Sequence, residues 1–231
     1  MDRTEFDRFA DEYKALHREN IAVSGETPDY FAEYKMRDMA RVIADFRTDA
    51  AGRFLDFGTG VGASVPFFRR HVPAGRLTCV DVSLASLAIG MANFAADADF
   101  VAFDGARLPF ADATFAGAFS ACVFHHIPAL EHVRLLAEIR RVLRPGGCVM
   151  VYEHNPWNPL TRRAVDTCPF DENAVLIPAR LLRTRVVAAG FTRSAIRYRV
   201  FVPGALARLR AIERRLTWLP FGAQYYVCAA A

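Results

Sequence analysis

No apolar run in this sequence approaches the roughly 18 residues that a membrane-spanning helix needs. Residues 1–20 are charged and amphipathic and contain no apolar core of the kind that opens a signal peptide, so a cytoplasmic location without a membrane partner is expected. The five cysteines (Cys79, Cys122, Cys148, Cys168 and Cys228) form no C-x-x-C pair, which argues against both a disulfide framework and a cysteine zinc site. Four of them lie in apolar runs that read as strands, where a thiol packs as a small hydrophobe. Repeats and low-complexity tracts are absent too. What remains is a chain of 231 residues, 53% hydrophobic and 23% charged, the balance of an ordinary globular domain with a full core.

The net charge of +4 conceals an asymmetry. From Arg180 to the end there are ten arginines and one acid, Glu213, a balance of +9, so residues 1–179 carry 4 − 9 = −5. Clustered basic charge can attract anionic partners. Here the arginines are spread over several elements with little aromatic interleaving, so a solvated face is expected and a nucleic-acid partner is not.

The first 45 or so residues read as helical, from Phe6, Phe9 and Tyr13 through Met36, Met39, Val42, Ile43 and Phe46, with a turn at Ser24–Pro28. Apolar runs at Arg53–Gly58, Leu77–Val82, Asp99–Asp104, Phe115–Phe124 and Cys148–Glu153 then alternate with helical stretches at Val61–His71, Leu84–Phe94 and Leu130–Leu143. Such alternation is the mark of a parallel sheet covered by helices on both faces. A helix at Pro178–Ala189, a strand near Ser194–Pro203, a helix at Ala205–Leu216 and a strand at Gln224–Ala230 close the chain. The expected fold is one doubly wound, mostly parallel α/β domain over residues 1–231: a helical cap (1–46), a central core (53–154) and a closing segment (155–231).

The strongest local signal is Phe54-Leu55-Asp56-Phe57-Gly58-Thr59-Gly60-Val61-Gly62-Ala63-Ser64, a buried strand running through a glycine-rich turn into a helix. Glycines let a ligand approach the backbone closely, and the helix N-terminus offers unpaired amides. Gly58-x-Gly60-x-x-Ala63 also satisfies the dinucleotide fingerprint. Asp81, 19 residues after Gly62 and followed by Val82, could accept from the ribose hydroxyls of either kind of adenosine cofactor.

Later segments separate the two. Phe103-Asp104-Gly105, Leu108-Pro109-Phe110, Asp112–Phe115, Ala118–Ile127 and Leu143-Arg144-Pro145-Gly146-Gly147 follow in order. With the glycine loop, this series resembles the class I S-adenosylmethionine-dependent methyltransferases of the small-molecule branch. The resemblance implies a seven-stranded Rossmann-like sheet and S-adenosylmethionine as cofactor. By position it implies that Gly58, Gly60 and Gly62 border the cofactor's methionine and ribose, with Asp56 and Phe57 beneath the loop. Asp81 and Val82 would lie at the ribose and Asp104, Gly105 and Ala106 at the adenine, while Ala121 and Cys122 would line the space beside the sulfonium.

His126, Glu153 and His154 follow strands four and five and so face the expected site, where each could accept a proton from an O or N nucleophile on a small molecule. The histidines show no metal-ligand spacing and H-E-x-x-H is absent, so no metal is expected. Tyr30–Lys35 is expected to cap the pocket. A nicotinamide-dependent oxidoreductase is the competing reading, but Tyr-x-x-x-Lys is missing. A nucleic-acid methyltransferase is another. Asn155-Pro156-Trp157-Asn158 superficially resembles the motif of DNA amino-methyltransferases, yet it follows strand five and not strand four.

Overall fold

The structure, a computed structural model, describes residues 25–168 and 171–231. The expected helical region around Phe6, Phe9 and Tyr13 therefore lies outside the described residues. Helix α1 (Pro28–Phe46) starts where sequence signals say it should: Thr27 Oγ1 accepts from the amide of Tyr30 at 3.2 Å and Pro28 occupies the first turn. Seven strands follow: β1 (Arg53–Phe57), β2 (Arg76–Asp81), β3 (Ala98–Ala102), β4 (Phe115–Ala121), β5 (Leu143–His154), β6 (Thr192–Arg199) and β7 (Gln224–Ala230). They form one sheet in the order β3-β2-β1-β4-β5-β7-β6. β7 runs antiparallel to β5 and β6, and the remaining pairs are parallel. The expected mostly parallel, doubly wound fold is observed.

Side chains alternate between two cores, as strand geometry demands. Leu55, Phe57, Val149, Val151, Tyr225 and Val227 face one side with helices α4 (His132–Val142) and α6 (Ala179–Ala188). Phe54, Phe119, Met150, Tyr152 and Tyr226 face the other, with α1 and α2 (Val65–His71). Helix α3 (Leu84–Phe94) lies along β2 and β3. No described helix is long and apolar enough to cross a membrane.

Several expected boundaries move, each for a local reason. β4 stops at Ala121 and not Phe124, because Cys122 adopts φ 62 and turns the chain into a 3₁₀ segment at Phe124–His126. After Pro128 a 3₁₀ turn (Ala129–Glu131) precedes α4, so the helix starts later than Leu130. β5 begins at Leu143 instead of Cys148, and its pairing with β4 shifts register between Phe115 and Gly117. Gly147 sits against Ala116 there, where a Cβ would come within 2.6 Å of the Ala116 carbonyl oxygen. The helix expected at Ala205–Leu216 is a 3₁₀ segment (Gly204–Ile212), kinked at Leu206, followed by the short α7 (Glu213–Leu216). Helix α5 (Pro159–Asp166), capped by Asn158, was not foreseen although its cap and proline are the usual start signals.

One buried ion pair fastens α1 to the far edge of the sheet. Arg199 on β6 donates through Nε and Nη2 to both oxygens of Asp38, at 2.7 and 2.8 Å, and the two side chains are 6% and 1% exposed. The Tyr152 hydroxyl adds a bond to Asp38 at 3.3 Å. Breaking such a pair from one side strands a buried charge. We therefore expect Asp38→Ala to lower unfolding stability by about 3–5 kcal/mol. Urea denaturation reads this directly; a loss below about 1 kcal/mol, the scale of an exposed pair, would rule out this role.

Candidate functional site

The strand order reverses between β1 and β4, and in open α/β sheets ligands bind beyond the carboxyl ends of the strands at such a point. The glycine loop leaves β1 there. Gly58 (φ 76) must be glycine, since a Cβ would lie 2.6 Å from the methyls of Val123. Gly60 (φ 54) is different: a Cβ built on it meets nothing within 4 Å, so the backbone here borders open space. Its amide donates to Asp81 Oδ2 at 2.8 Å, while the amide of Ser83 donates to Oδ1 at 2.9 Å. Asp81 thus fastens the tips of β1 and β2 together, and a carboxylate has enough lone pairs to hold ribose hydroxyls as well. An adenosine cofactor fits this cradle.

Beneath the loop, Asp56 is buried and accepts hydrogen bonds from the hydroxyls of Thr59 (2.9 Å) and Ser64. It braces the loop through these two hydroxyls. Phe57 and Val82 are core residues, the former stacked with Phe124, so only their backbone reaches the ligand side. Asp104 is exposed, and its Oδ1 accepts from the amides of Ala106 and Arg107 at 2.8 and 2.9 Å. Arg134 donates to the carbonyls of Gly105 and Ala106 and holds that loop from outside.

A second group gathers where β4 and β5 end and β7 begins. Glu153 is fully buried; its Oε1 accepts from the amides of Val123 (3.2 Å) and Phe124 (2.8 Å), and its Oε2 pairs with His125 Nδ1 at 2.6 Å. Burial opposes its ionisation, but His125 outweighs that and holds the carboxyl below the ordinary range. With all these partners Glu153 supports the loop and His125, a poor posture for taking a substrate proton. His125 gains in turn: burial disfavours its charge, yet Glu153 and Asp171 overcome this and push it up to about 10. His126 Nε2 lies 3.4 Å from Asp171 Oδ1 and burial lowers its basicity. His154 is lowered to about 4 by burial and by the charge of His125, and its Nδ1 faces Gln224 Nε2 at 3.4 Å.

Sequence reasoning passed over His125, Asp171 and Gln224 and gave Lys35 no role of its own. Lys35, one of two lysines in the chain with Lys14, places Nζ 3.2 Å from Cys122 Sγ and 5.6 Å from the centre of the Tyr152 ring. Cys122 itself carries the positive φ that ends β4, the kind of strain that collects at functional sites. The scarcity of lysine and the doubled histidine after β4 were signals; Asp171, 45 residues beyond His126, gave none.

Asp56 yields a pH prediction. Burial raises its carboxyl to about 6, against the lowering effect of the Ser64 and Thr59 hydroxyls. A folded-state value above the unfolded one, about 3.9, makes stability fall as pH rises from about 4 to about 6 and level off above, by roughly 3 kcal/mol at most. In chemical denaturation across that range the wild type should lose stability by this amount relative to Asp56→Asn, which removes the Asp56 contribution and leaves the other groups in place. An identical slope in the variant would remove Asp56 as its source.

A family model described as a methyltransferase domain matches residues 54–147. A ubiquinone/menaquinone biosynthesis C-methyltransferase of Desulfotalea psychrophila is 32% identical over 116 residues, 50% of this chain and 46% of that protein. A demethylmenaquinone methyltransferase of Renibacterium salmoninarum is 30% identical over 155 residues, 66% of this chain and 63% of that one. The chain thus spans about half to two thirds of these relatives' length. Among solved structures, a methyltransferase from Thermotoga maritima superposes with TM-score 0.68 at 18% identity, covering 99% of this chain and 98% of that one, a likeness of fold. The glycine loop, the acids at the ends of β1, β2 and β3, and this fold agree with the match: residues 54–147 are similar to a methyltransferase domain, and the chain has the fold of the S-adenosylmethionine-dependent methyltransferases.

Proposed function

We propose that this protein transfers the methyl group of S-adenosylmethionine to a small molecule that reacts as an anion, through an oxygen or the carbon conjugated to it. The observation that carries the cofactor half is the open backbone at Gly60 beside the Asp81 carboxylate. The cofactor supplies an already activated methyl, so the protein's task is alignment and exclusion of water. In this reading Asp81 holds the ribose, Gly58–Gly62 carry the methionine portion, and Cys122 with Ala121 lines the path of transfer.

Lys35 supports the choice of an anionic acceptor. Among the described residues no carboxylate lies within ion-pair distance of its ammonium; its contacts are the Cys122 thiol and the Tyr152 ring. A cation beside the position assigned to the sulfonium favours an anion between them, such as an enolate or phenolate. It disfavours an amine, whose methylation would deposit a further positive charge there. The expectation of O or N from sequence is thus revised to O or C, which the likeness to C-methyltransferases also supports. His154 is the side chain left at hand to accept the acceptor's proton, since His126 faces Asp171; Glu153 is assigned a positioning role.

Calorimetry with S-adenosylhomocysteine tests the cofactor half. Asp81→Ala should weaken binding about 100-fold, the worth of two charge-assisted hydrogen bonds at the low end of about 1.5 kcal/mol each. Unchanged affinity would overturn the assignment. For the acceptor half, Lys35→Met should cut kcat with an enol or phenol acceptor about 30-fold, ~2 kcal/mol, with S-adenosylhomocysteine affinity nearly unchanged. A variant that loses cofactor affinity but turns over normally at saturation would move Lys35 to the cofactor's carboxylate instead.

A further inference from the structure

His125, His126 and Asp171 bring three potential metal ligands to one point. One ligating atom of each lies within 4.8 Å of the others. Asp171 Oδ1 is 3.6 Å from His125 Nε2 and 3.4 Å from His126 Nε2, beyond the roughly 2.7–3.2 Å of an N–H···O bond. Behind His125, Glu153 sits 2.6 Å from Nδ1. With a metal on Nε2 in place of a proton, that carboxylate would hold the ring's remaining proton on Nδ1.

We propose that His125 Nε2, His126 Nε2 and Asp171 Oδ1 form a binding site for zinc. Bonds of about 2.0–2.1 Å in tetrahedral geometry require donor atoms about 3.3 Å apart, close to the separations observed. Two imidazoles and one carboxylate suit zinc; magnesium and calcium call for more oxygen. Glu153 behind His125 completes the carboxylate–histidine–metal relay that orients and strengthens such a ligand. Three protein ligands leave a fourth position open, and both histidines border a cavity of about 330 Å³ that also meets Ile127, Leu176 and Arg185. None of Gly60, Asp81 and Asp104 borders it, so the site is separate from the cofactor cradle. Binding of zinc stands independently of the proposed reaction. Its use, to hold an acceptor's oxygen as the anion, rests on that reading. In sequence the site was hidden because adjacent histidines are not a ligand spacing and the carboxylate comes from a distant loop.

The test uses the full chain, stripped with a chelator and titrated with zinc by calorimetry and with cobalt(II) by visible absorption. One zinc per chain, a four-coordinate cobalt spectrum, and binding weakened about 30-fold in both Asp171→Asn and His126→Gln are expected. Affinity for S-adenosylhomocysteine, measured on the same samples, should stay within about 3-fold in both variants, since neither residue borders the cradle; it also shows that they are folded. Zinc binding that survives both substitutions overturns the site. So does a wild-type chain that takes up no zinc, in which case a second proton on His125 holds the cluster together. Loss of S-adenosylhomocysteine binding by the wild type would sink the cofactor reading and leave the zinc result to stand by itself.

Discussion

Glu153 is a carboxylate with no access to water, and the carboxyl end of the sheet is organised around satisfying it. Removing such a charge from solvent costs several kcal/mol, so it persists only where donors replace the water. Here two consecutive amides, Val123 and Phe124, and the ring of His125 do so. That arrangement dictates the path of the chain after β4. The amide of Cys122 meets the Tyr152 carbonyl at 2.7 Å, the backbone turns through a positive φ, and the next two amides point back at Glu153. His125 is drawn inward against β5, and His126 follows it around to face Asp171. One buried acid on β5 therefore sets the thiol, both histidines and the loop beyond them.

How much of this was legible follows from how local each interaction is. The bounds of α3 and β7 agree with the sequence reading, and Ser83 caps α3 through the amide of Ser86 only three residues on. The glycine loop and the two acids beside it were readable for the same reason: the loop, Asp56 and its hydroxyl donors fall within nine residues, and Asp81 is announced by the end of an apolar run. Failures came where backbone conformation overrode pattern. Cys122, a small apolar residue in an apolar run, gave no sign of leaving the strand. The 3₁₀ segment at Gly204–Ile212 has the spacing of a helix but a kink at Leu206. The other half of the site rests on pairs such as Lys35–Cys122 and His125–Glu153, 87 and 28 residues apart. Contacts that distant leave no periodicity in a single sequence.

The charge asymmetry has a structural resolution that composition could not supply. The basic tail was expected to present a solvated face, yet three of its arginines turn inward. Arg199 pairs with Asp38, Arg210 reaches Glu26, and Arg185 donates to His132 Nδ1 at 2.7 Å. Two of these partners are acids from the acidic first part of the chain. The exchange is reciprocal: Glu213, the one acid of the tail, accepts the Tyr34 hydroxyl at 2.7 Å and the amides of Phe201 and Val202. Opposite local charges thus meet across the junction of α1 with β6 and α7. Buried or half-buried arginines committed in this way are unavailable for phosphate contacts, which weakens the case for a nucleic-acid partner.

The same accounting constrains the chemistry of the site. On the methyl-transfer reading, a sulfonium and an anion react to give two neutral products, a reaction that a dry pocket favours because the separated charges lose their water before they combine. The surroundings fit that demand. Phe57, Phe124 and Tyr152 are buried, and His154 is held neutral by burial and by its charged neighbour. The charges on Glu153, His125 and Asp171 are matched within their own cluster, while among the described residues no carboxylate lies within ion-pair distance of Lys35. An acceptor that arrived as a cation would add a further positive charge beside Lys35 and the sulfonium in a low-dielectric space. An acceptor that ionises in place offsets Lys35 until it reacts, and methyl transfer then consumes its charge together with that of the sulfonium, so the fixed ammonium favours it before any contact with its carbon skeleton is made.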